Sequence, residues 1–394
     1  MSQIKVGYVW DSYPNTRSII DIVDGVEYQK IFDYYKFLSY VAYVPKKLKL
    51  PNAEHNFADV KHAFNDFGLN KVDLLHFFNN ISYGKTPWVS TFETFIPRFS
   101  PLLDHQTKGI PKQNKQLEKA LKALAGDTCK KILAISECTA NFETTLLNHY
   151  PEYKERIEQK MVVIHPPQKL LVERYEDKMI KESDALSFII VGGDFFRKGG
   201  LEILRTFEKL VNQQNIQLQL TIVSKLDAYD YATKAGQKEI DEAVSIIERN
   251  QTWITHHKSL PNTQVLDLMK SHQIGLLPTW ADTYGYSVLE LQASGCPVIT
   301  TDIRALSEIN SNQHGWVIDV PKNEFGEGLY VTEEQRTELS QVIMDQLEKI
   351  VLDIFQNRDQ VRTKAEKTIS YVKEHHDPSD YADKIREIYK DALK

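Results

Sequence analysis

The chain has 394 residues, of which 42% are hydrophobic and 26% charged, so it is long enough for two globular domains that each bury a core. Its net charge of -6 argues against a nucleic-acid partner, and no apolar run approaches the roughly 18 residues of a membrane-spanning helix. The three cysteines lack metal-ligand or redox spacing and the first residues lack the pattern of a signal peptide, so we expect a reduced, cytoplasmic compartment.

Short apolar runs alternate with segments of helical spacing through the first half of the chain. Strands are predicted at residues 4–10, 41–44, 72–78, 88–92, 132–135 and 161–164. Helices are predicted between them, for example at 57–67 and 142–150. This alternation indicates a parallel sheet with helices on both faces.

A lysine-rich segment lies within this half. Residues 108–131 contain seven lysines, and a helix there would carry its leucines and alanines on one face. Such a basic amphipathic helix could lie on an anionic membrane surface. It could also be an ordinary surface helix with its apolar side on the sheet and its lysines in solvent, and we favour this interpretation.

The boundary between two domains is predicted after the last of these strands. Pro166 and Pro167 end the strand, and the charged stretch 170–185 cannot build a core, so we interpret it as a linker. The expected domains are residues 1–170 and 183–372. Further strands are predicted at 186–191 and 218–223, a helix at 201–211, and helices in 337–392.

Residues 276–309 have the pattern of a strand, a loop, a helix and a second strand, which is one βαβ crossover. The loop carries Asp282 and Gly285, and the helix is predicted to start at Ser287. Glu290 stands eight positions after Asp282, and the glycine between them lets a ligand approach the backbone. Ser287 and Glu290 also have the spacing of a capping box, which needs no ligand, and Asp282 could be an ordinary turn residue.

This stretch resembles the donor-binding signature of the family 4 retaining glycosyltransferases of the GT-B fold. That signature is Glu, Gly, Phe and Gly, followed by a helix with a second Glu at the eighth position after the first. Asp282, Thr283 and Tyr284 replace its first three residues. The positions that agree with the family are Gly285, Glu290, Gly295 and Pro297. The remaining donor-binding residues that we expect are Tyr286 and Ser287.

The glycine-rich loop GGDFFRKGG, residues 192–200, resembles the loop of the same family that ends in Lys-Gly and supplies cations to the donor diphosphate. Arg197 and Lys198 match that pattern. Gly193, which we also expect among the donor-binding residues, stands where many relatives have another Arg. Alone, the loop could be a turn with two solvated cations. The loop precedes the 282–290 signature in the order and at the spacing that the family shows, which favours the donor-binding role.

The resemblance also implies roles for individual side chains. In the family the second Glu holds the ribose hydroxyls, here Glu290, while the first carboxylate, here Asp282, and the loop amides hold the sugar and phosphate. Glu93 occupies the place of a catalytic-site His or Asp. It could instead be a solvated carboxylate at a strand end, and the nearest alternative, His76, could be a satisfied core residue.

The fold that we expect is α/β with GT-B architecture. Two Rossmann-like domains would face a cleft, and a C-terminal helix, residues 375–394, would cross back to the first domain. The first domain would hold the acceptor and the second the nucleotide-sugar donor.

The resemblance implies a hexosyltransferase that uses a nucleotide-sugar, most commonly a UDP-sugar of the glucose type, with retention of configuration. The acceptor would be a glycan or a lipid-linked sugar, and the product would belong to exopolysaccharide or cell-envelope glycan synthesis. The protein could also contact the inner membrane surface peripherally. The chain contains no Asp-x-Asp pattern, so we expect no metal, and no bound cofactor. The alternatives are a non-catalytic nucleotide-sugar-binding subunit and a nucleotide-sugar hydrolase or epimerase on the same fold.

Overall fold

The computed structural model describes residues 3–34, 37, 62–180, 183 and 185–394 of the chain. The chain divides into two units, Met1–Pro167 with Pro378–Lys394, and Gln168–Asp377. Within the described ranges, no helix combines the length and the apolar character needed to cross a membrane.

The first unit is built on a six-stranded parallel sheet with the strand order β2-β1-β4-β6-β7-β8. Its strands are β1 (Ile4–Tyr8), β2 (Val26–Lys30), β4 (Leu74–Phe78), β6 (Trp88–Phe92), β7 (Cys129–Ala134) and β8 (Met161–Val163). Two shorter strands, β3 (Ala63–Phe64) and β5 (Ile81–Ser82), pair with each other in a separate sheet. The strands predicted from apolar runs are confirmed, except that 41–44 lies outside the described residues.

The helix predicted at 57–67 is not present in its described part. Residues 57–61 lie outside the described residues, and Ala63–Phe64 forms strand β3. Phe64 is buried, and its ring centroid lies 5.0 Å from that of Phe77. The helical spacing of the apolar residues was misleading here, because pairing with β5 satisfies the backbone and takes Phe64 into the core.

The described helices of the first unit are Tyr13–Ser18, Ser100–Leu103, His105–Lys108, Lys115–Ala125, Glu137–Asn148, Pro151–Glu158 and Pro378–Ala392. The helix Lys115–Ala125 holds three of the lysines of the lysine-rich segment. It begins after Asn114, whose side-chain oxygen accepts a hydrogen bond from the backbone N–H of Gln116 at 3.0 Å. Its apolar face, Leu117, Ala120, Leu121 and Leu124, is fully buried. That face is therefore packed on the protein and is not open to a membrane.

The last helix, Pro378–Ala392, packs on the sheet of the first unit. Tyr381, Ile385 and Tyr389 share a core cluster with residues of β1, β4, β6 and β7. His76 on β4 lies in the same region, with Nδ1 2.7 Å from the Tyr389 hydroxyl and Nε2 2.9 Å from the Thr91 hydroxyl. Burial lowers the pKa of His76 to about 3, so the ring is neutral. His76 is thus a satisfied core residue.

The second unit is built on another six-stranded parallel sheet, with the order β11-β10-β9-β12-β13-β14. Its strands are β9 (Leu186–Val191), β10 (Leu218–Val223), β11 (Ile254–His257), β12 (Ile274–Leu277), β13 (Val298–Thr301) and β14 (Trp316–Ile318). This is the Rossmann order, and the direction of winding reverses at β9. Ligands of such sheets bind at the carboxyl ends of the strands beside this switch point, which here means the loops after β9 and β12.

The described helices of the second unit are Gly200–Gln214, Gln237–Arg249, Asn262–Ser271, Tyr286–Ala293, Leu306–Ile309, Glu333–Gln356 and Asp359–His375. The charged stretch for which the sequence favours a linker is attached to this unit. The backbone N–H groups of Leu171 and Val172 donate to the carbonyl of Ala293 at 2.9 and 3.2 Å. The ammonium of Lys178 donates to the carbonyl of Ser294 at 2.7 Å. Charge along a sequence does not reveal such backbone attachments.

Candidate functional site

Two loops meet at the switch point of the second sheet, residues 192–199 after β9 and residues 278–285 after β12. Gly199, with φ of 78°, lies directly against Pro278 of the second loop. A Cβ at this position would lie 2.1 Å from the carbonyl oxygen of Pro278. Only glycine permits this contact, so the RKGG sequence allows the cation-bearing loop to lie directly against the loop after β12.

Arg197 joins the two loops through its backbone and its side chain. Its carbonyl oxygen accepts hydrogen bonds from the backbone N–H of Trp280 and the hydroxyl of Thr279, both at 2.9 Å. Its guanidinium donates to the carbonyl of Ala281 and, at 2.6 Å, to a carboxylate oxygen of Asp194. The guanidinium fork is therefore held in one orientation before any ligand binds.

Asp282 lies between the two cations predicted from the sequence. Its Oδ2 is 3.4 Å from the ammonium of Lys198 and 4.0 Å from the guanidinium of Arg197. The three side chains are only 12 to 15% exposed. The structure thus brings together Arg197, Lys198 and Asp282, although 84 positions separate Lys198 from Asp282 in sequence.

The charges in this cluster stabilise one another. Burial pushes the pKa of Asp282 upward, but the charges of Lys198 and Arg197 outweigh it, so the pKa lies below its usual value. The other oxygen of Asp282 accepts the backbone N–H groups of Tyr284 and Gly285 at 3.3 and 3.1 Å. Asp282 is therefore both an ionised partner of the cations and the residue that shapes the turn.

The helix of the signature, Tyr286–Ala293, begins earlier than Ser287, so that prediction was wrong. Gly285 precedes it with φ of 90°, and no side-chain cap is formed. The Oγ of Ser287 is buried without a hydrogen-bond partner in the described part of the chain, so the capping box with Glu290 is not formed. A Cβ on Gly285 would lie 2.4 Å from a methyl carbon of Leu306, which is why this turn into the helix requires glycine.

The other signature residues differ in what they expose to a ligand. Tyr284 is fully buried, so only its backbone can meet a ligand, and its ring centroid lies 5.2 Å from that of Tyr286. Thr283 and Glu290 are half-buried, and Glu290 lies in the second turn of the helix. Gly193 has open space around the position that a Cβ would take.

Glu93, in the first unit, is held by neighbouring side chains. It follows β6, and its Oε1 accepts a hydrogen bond from the amide of Asn79 at 3.1 Å. The backbone N–H of Glu93 donates back to Asn79 at 3.1 Å, and Arg98 forms an ion pair with the carboxylate. The side chain is only 13% exposed, so Glu93 is a fixed, paired carboxylate and not a solvated one.

Sequence reasoning missed two side chains that contact the Arg197 guanidinium. Asp194 binds its guanidinium, and the ring centroid of Tyr231 lies 5.7 Å from its Cζ. Asp194 was visible in the GGDFFRKGG loop, three positions before Arg197. Tyr231 comes from the loop after β10 and carries no sequence signal for this contact. Among the described residues, no group of three or more His, Cys, Asp or Glu side chains is placed to hold a metal ion.

Comparison with known proteins gives a sequence family for part of the chain and a fold for nearly all of it. Residues 185–330 match the glycosyl transferases group 1 family, a range that contains every site residue described in the second unit. No curated protein matches the chain in sequence.

Solved structures of similar fold cover nearly the whole chain. A UDP-forming α,α-trehalose-phosphate synthase from Burkholderia xenovorans has a TM-score of 0.61 and 11% identity, covering 100% of both chains. WaaG, a glycosyltransferase involved in lipopolysaccharide biosynthesis, has a TM-score of 0.55 and 15% identity over 97% of this chain and 99% of its own. Anabaena Alr3699/HepE, in complex with UDP and glucose, has a TM-score of 0.54 and 13% identity over 98% and 99%. The GT-B fold, with two Rossmann-like domains, is confirmed.

Proposed function

Because residues 185–330 match the glycosyl transferases group 1 family, we propose that this chain is a retaining hexosyltransferase that uses a nucleotide-sugar. The observation that carries the proposal is the cluster of Arg197, Lys198 and Asp282 at the switch point of the second sheet. A UDP-sugar of the glucose type is the donor that we favour. The similar fold of HepE, bound to UDP and glucose, and of a UDP-forming synthase supports this choice.

The two cations would act on the departing diphosphate. Breaking the bond between the anomeric carbon and the phosphate leaves negative charge on the diphosphate, and a catalyst gains from contacts that strengthen as this charge develops. Arg197 would present a fork to two oxygens, and Lys198 a mobile point charge. Lys198 lies against Asp282 in the free protein, so its ammonium would turn from the carboxylate toward the diphosphate.

The signature loop and helix would hold the rest of the donor. The carboxylate of Glu290 can accept two hydrogen bonds from the vicinal diol of a ribose. The N–H groups at the start of the helix Tyr286–Ala293, after Gly285, favour a phosphate oxygen. Asp282, beside them, would meet the sugar once the cations bind the diphosphate.

Glu93 is the catalytic candidate of the first domain. It would position a hydroxyl or stabilise positive charge that develops on the sugar ring. Its bonds to Asn79 and Arg98 support this role, because a fixed carboxylate costs little reorganisation during the reaction.

We propose further that transfer needs no metal, since protein cations meet the charge of the diphosphate. The product would be an exopolysaccharide or another cell-envelope glycan, made in the cytoplasm. The three free cysteines agree with a reducing compartment. Any contact with the inner membrane surface would use the lysines of the helix Lys115–Ala125, because its apolar face is buried.

Product formation from a radiolabelled UDP-hexose, with and without a glycan or lipid-linked acceptor, tests the proposal. A transferase forms a new glycoside only when the acceptor is present. Release of free sugar or a changed sugar without acceptor would indicate the hydrolase or epimerase. Binding of UDP without any product from a panel of acceptors would indicate the non-catalytic subunit.

A further inference from the structure

The loop between β10 and the helix Gln237–Arg249 is fastened by its own hydrogen bonds. One carboxylate oxygen of Asp230 accepts the backbone N–H groups of Ala232 and Thr233, both at 2.8 Å. The other accepts the hydroxyl of Thr233. The N–H of Tyr229 donates to the carbonyl of Ala235 at 2.7 Å, which closes the loop. The loop therefore has a defined shape without help from a ligand.

This loop presents two tyrosines with different surroundings. Tyr229 is 81% exposed, and its side chain forms no hydrogen bond or aromatic contact with the described residues. Tyr231 is 55% exposed, but its ring centroid lies 5.7 Å from Cζ of Arg197 and 6.2 Å from the ring of Tyr330. One tyrosine thus contacts the candidate donor site and the other does not.

The position of Tyr231 suits a cation–π contact. A guanidinium within about 6 Å of a tyrosine ring centroid is attracted by the negative face of the ring. Asp194 and Ala281 already receive two of the N–H groups of Arg197, so the ring adds a contact that those bonds leave open. Burial alone tends to lower the pKa of Arg197, and the bond to Asp194 together with the neighbouring charges raises it.

We propose that Tyr231 is a positioning residue of the donor site, whose ring lies against the Arg197 guanidinium and keeps the fork directed at the donor diphosphate. The proposal rests on the function proposed above for Arg197. Tyr231 acts through Arg197 and need not touch the donor. The loop after β10 is then part of the donor site, although neither the glycine-rich loop nor the 282–290 signature includes it.

The affinity for UDP, measured by calorimetry, tests this role. We expect Tyr231→Ala to weaken UDP binding by about threefold to thirtyfold, the range of a cation–π contact between exposed and desolvated limits. Tyr231→Phe keeps the ring and should retain affinity within about twofold. Tyr229→Ala is the matched control from the same loop and should also remain within that range. A smaller loss for Tyr231→Ala, or an equal loss for Tyr231→Phe, overturns the proposal.

A double-mutant cycle with Arg197→Ala separates positioning from a merely structural role. If Tyr231 acts through Arg197, Tyr231→Ala should have little further effect on UDP affinity once Arg197 is gone. A full effect in that background would mean that Tyr231 contacts the ligand itself or supports the fold. Wild-type protein that binds none of UDP, GDP and ADP would refute the proposed function, whereas wild-type binding that Tyr231→Ala leaves unchanged would refute only this inference.

Discussion

The ammonium of Lys198 lies 3.4 Å from a carboxylate oxygen of Asp282, and both side chains are largely buried. In the proposed enzyme this ion pair holds the Lys198 ammonium beside the donor site. The depressed pKa of Asp282, in which the two cations outweigh the effect of burial, means that the carboxylate is charged throughout the neutral range.

Lys198→Ala should lower turnover by roughly a hundredfold to a thousandfold, because one contact to developing charge typically contributes about 2.7–4 kcal/mol. Arg197→Lys keeps the positive charge but should not keep normal turnover, because lysine cannot form the bidentate contact of arginine. Lys209→Ala, which removes an exposed lysine paired with Glu348, is the control and should leave turnover unchanged. Steady-state kinetics measures the turnover of each variant, and a comparison with and without EDTA tests whether the wild-type enzyme needs a metal. Activity that EDTA abolishes and magnesium or manganese restores would contradict metal-free stabilisation.

A neighbouring pair of glycines allows a test of the Lys198 side-chain position. A Cβ on Gly192 would lie 2.8 Å from Cε of Lys198, whereas a Cβ on Gly193 would meet nothing within 4 Å. Gly192→Ala should therefore displace the ammonium and weaken UDP binding, and Gly193→Ala should not. Gly192 also has φ of 127°, so thermal unfolding must be measured alongside calorimetry. Equal UDP affinities in the two variants would mean that Lys198 does not contact the diphosphate.

Glu290→Gln should weaken nucleotide binding by about tenfold to a hundredfold, because hydrogen bonds to a charged group contribute roughly 1.5–3 kcal/mol. The helix Tyr286–Ala293 has no side-chain cap, so we expect the melting temperature to change little. Calorimetry with UDP and a thermal scan give the two values. Unchanged affinity with a lowered melting temperature would assign Glu290 a structural role.

Glu93→Ala should lower turnover while leaving UDP affinity within about threefold, since the residue would face the sugar and not the nucleotide. Arg98→Ala is the companion variant, because Arg98 is the ion-pair partner of Glu93. Steady-state kinetics gives the turnover of both variants, and calorimetry gives their affinity for UDP. A collapse of UDP affinity in Glu93→Ala would show that its placement is wrong.

Glu143 should make stability depend on pH. It is fully buried, its Oε2 accepts the N–H of Ile96 at 2.9 Å, and its other oxygen has no hydrogen-bond partner among the described residues. Burial raises the pKa of this carboxyl from 4.5 to about 8, against the opposing effect of the bond to Ile96. The folded protein thus holds a proton that the unfolded chain releases, so the stabilisation is complete below the unfolded pKa and is lost as pH rises through the folded pKa.

Glu143→Gln keeps the shape of the side chain and cannot ionise. We expect its melting temperature, relative to wild type, to be higher at pH 8.5 than at pH 5, as measured by thermal unfolding at both values. A difference that does not change with pH would show that Glu143 ionises as readily in the folded protein as in the unfolded chain.

The sheets could be predicted because burial on both faces produces continuous apolar runs. The runs at 88–92, 186–191 and 218–223 correspond to β6, β9 and β10. The loops that carry Arg197, Lys198 and Asp282 were singled out by their resemblance to the family, and the structure brings them together because β9 and β12 are neighbours at the switch point.

The remaining features depend on contacts between segments that are distant in sequence. The signature helix begins at Tyr286, directly after Gly285, where a side chain would clash with Leu306. The contact between Tyr231 and Arg197 arises from the fold of a separate loop. No periodicity or spacing within one segment encodes such contacts.

The helix Pro378–Ala392 determines when the first domain can finish folding. Its Tyr381, Ile385 and Tyr389 complete a core that includes Val6, Leu74, Val89 and Leu133 of the sheet strands. During synthesis, an apolar face of the sheet of the first domain therefore stays uncovered until the whole second domain has been made. Truncation of the chain or a bulky fusion near residue 378 should therefore disturb the folding of the first domain. Expression of residues 1–167 alone should give aggregated protein.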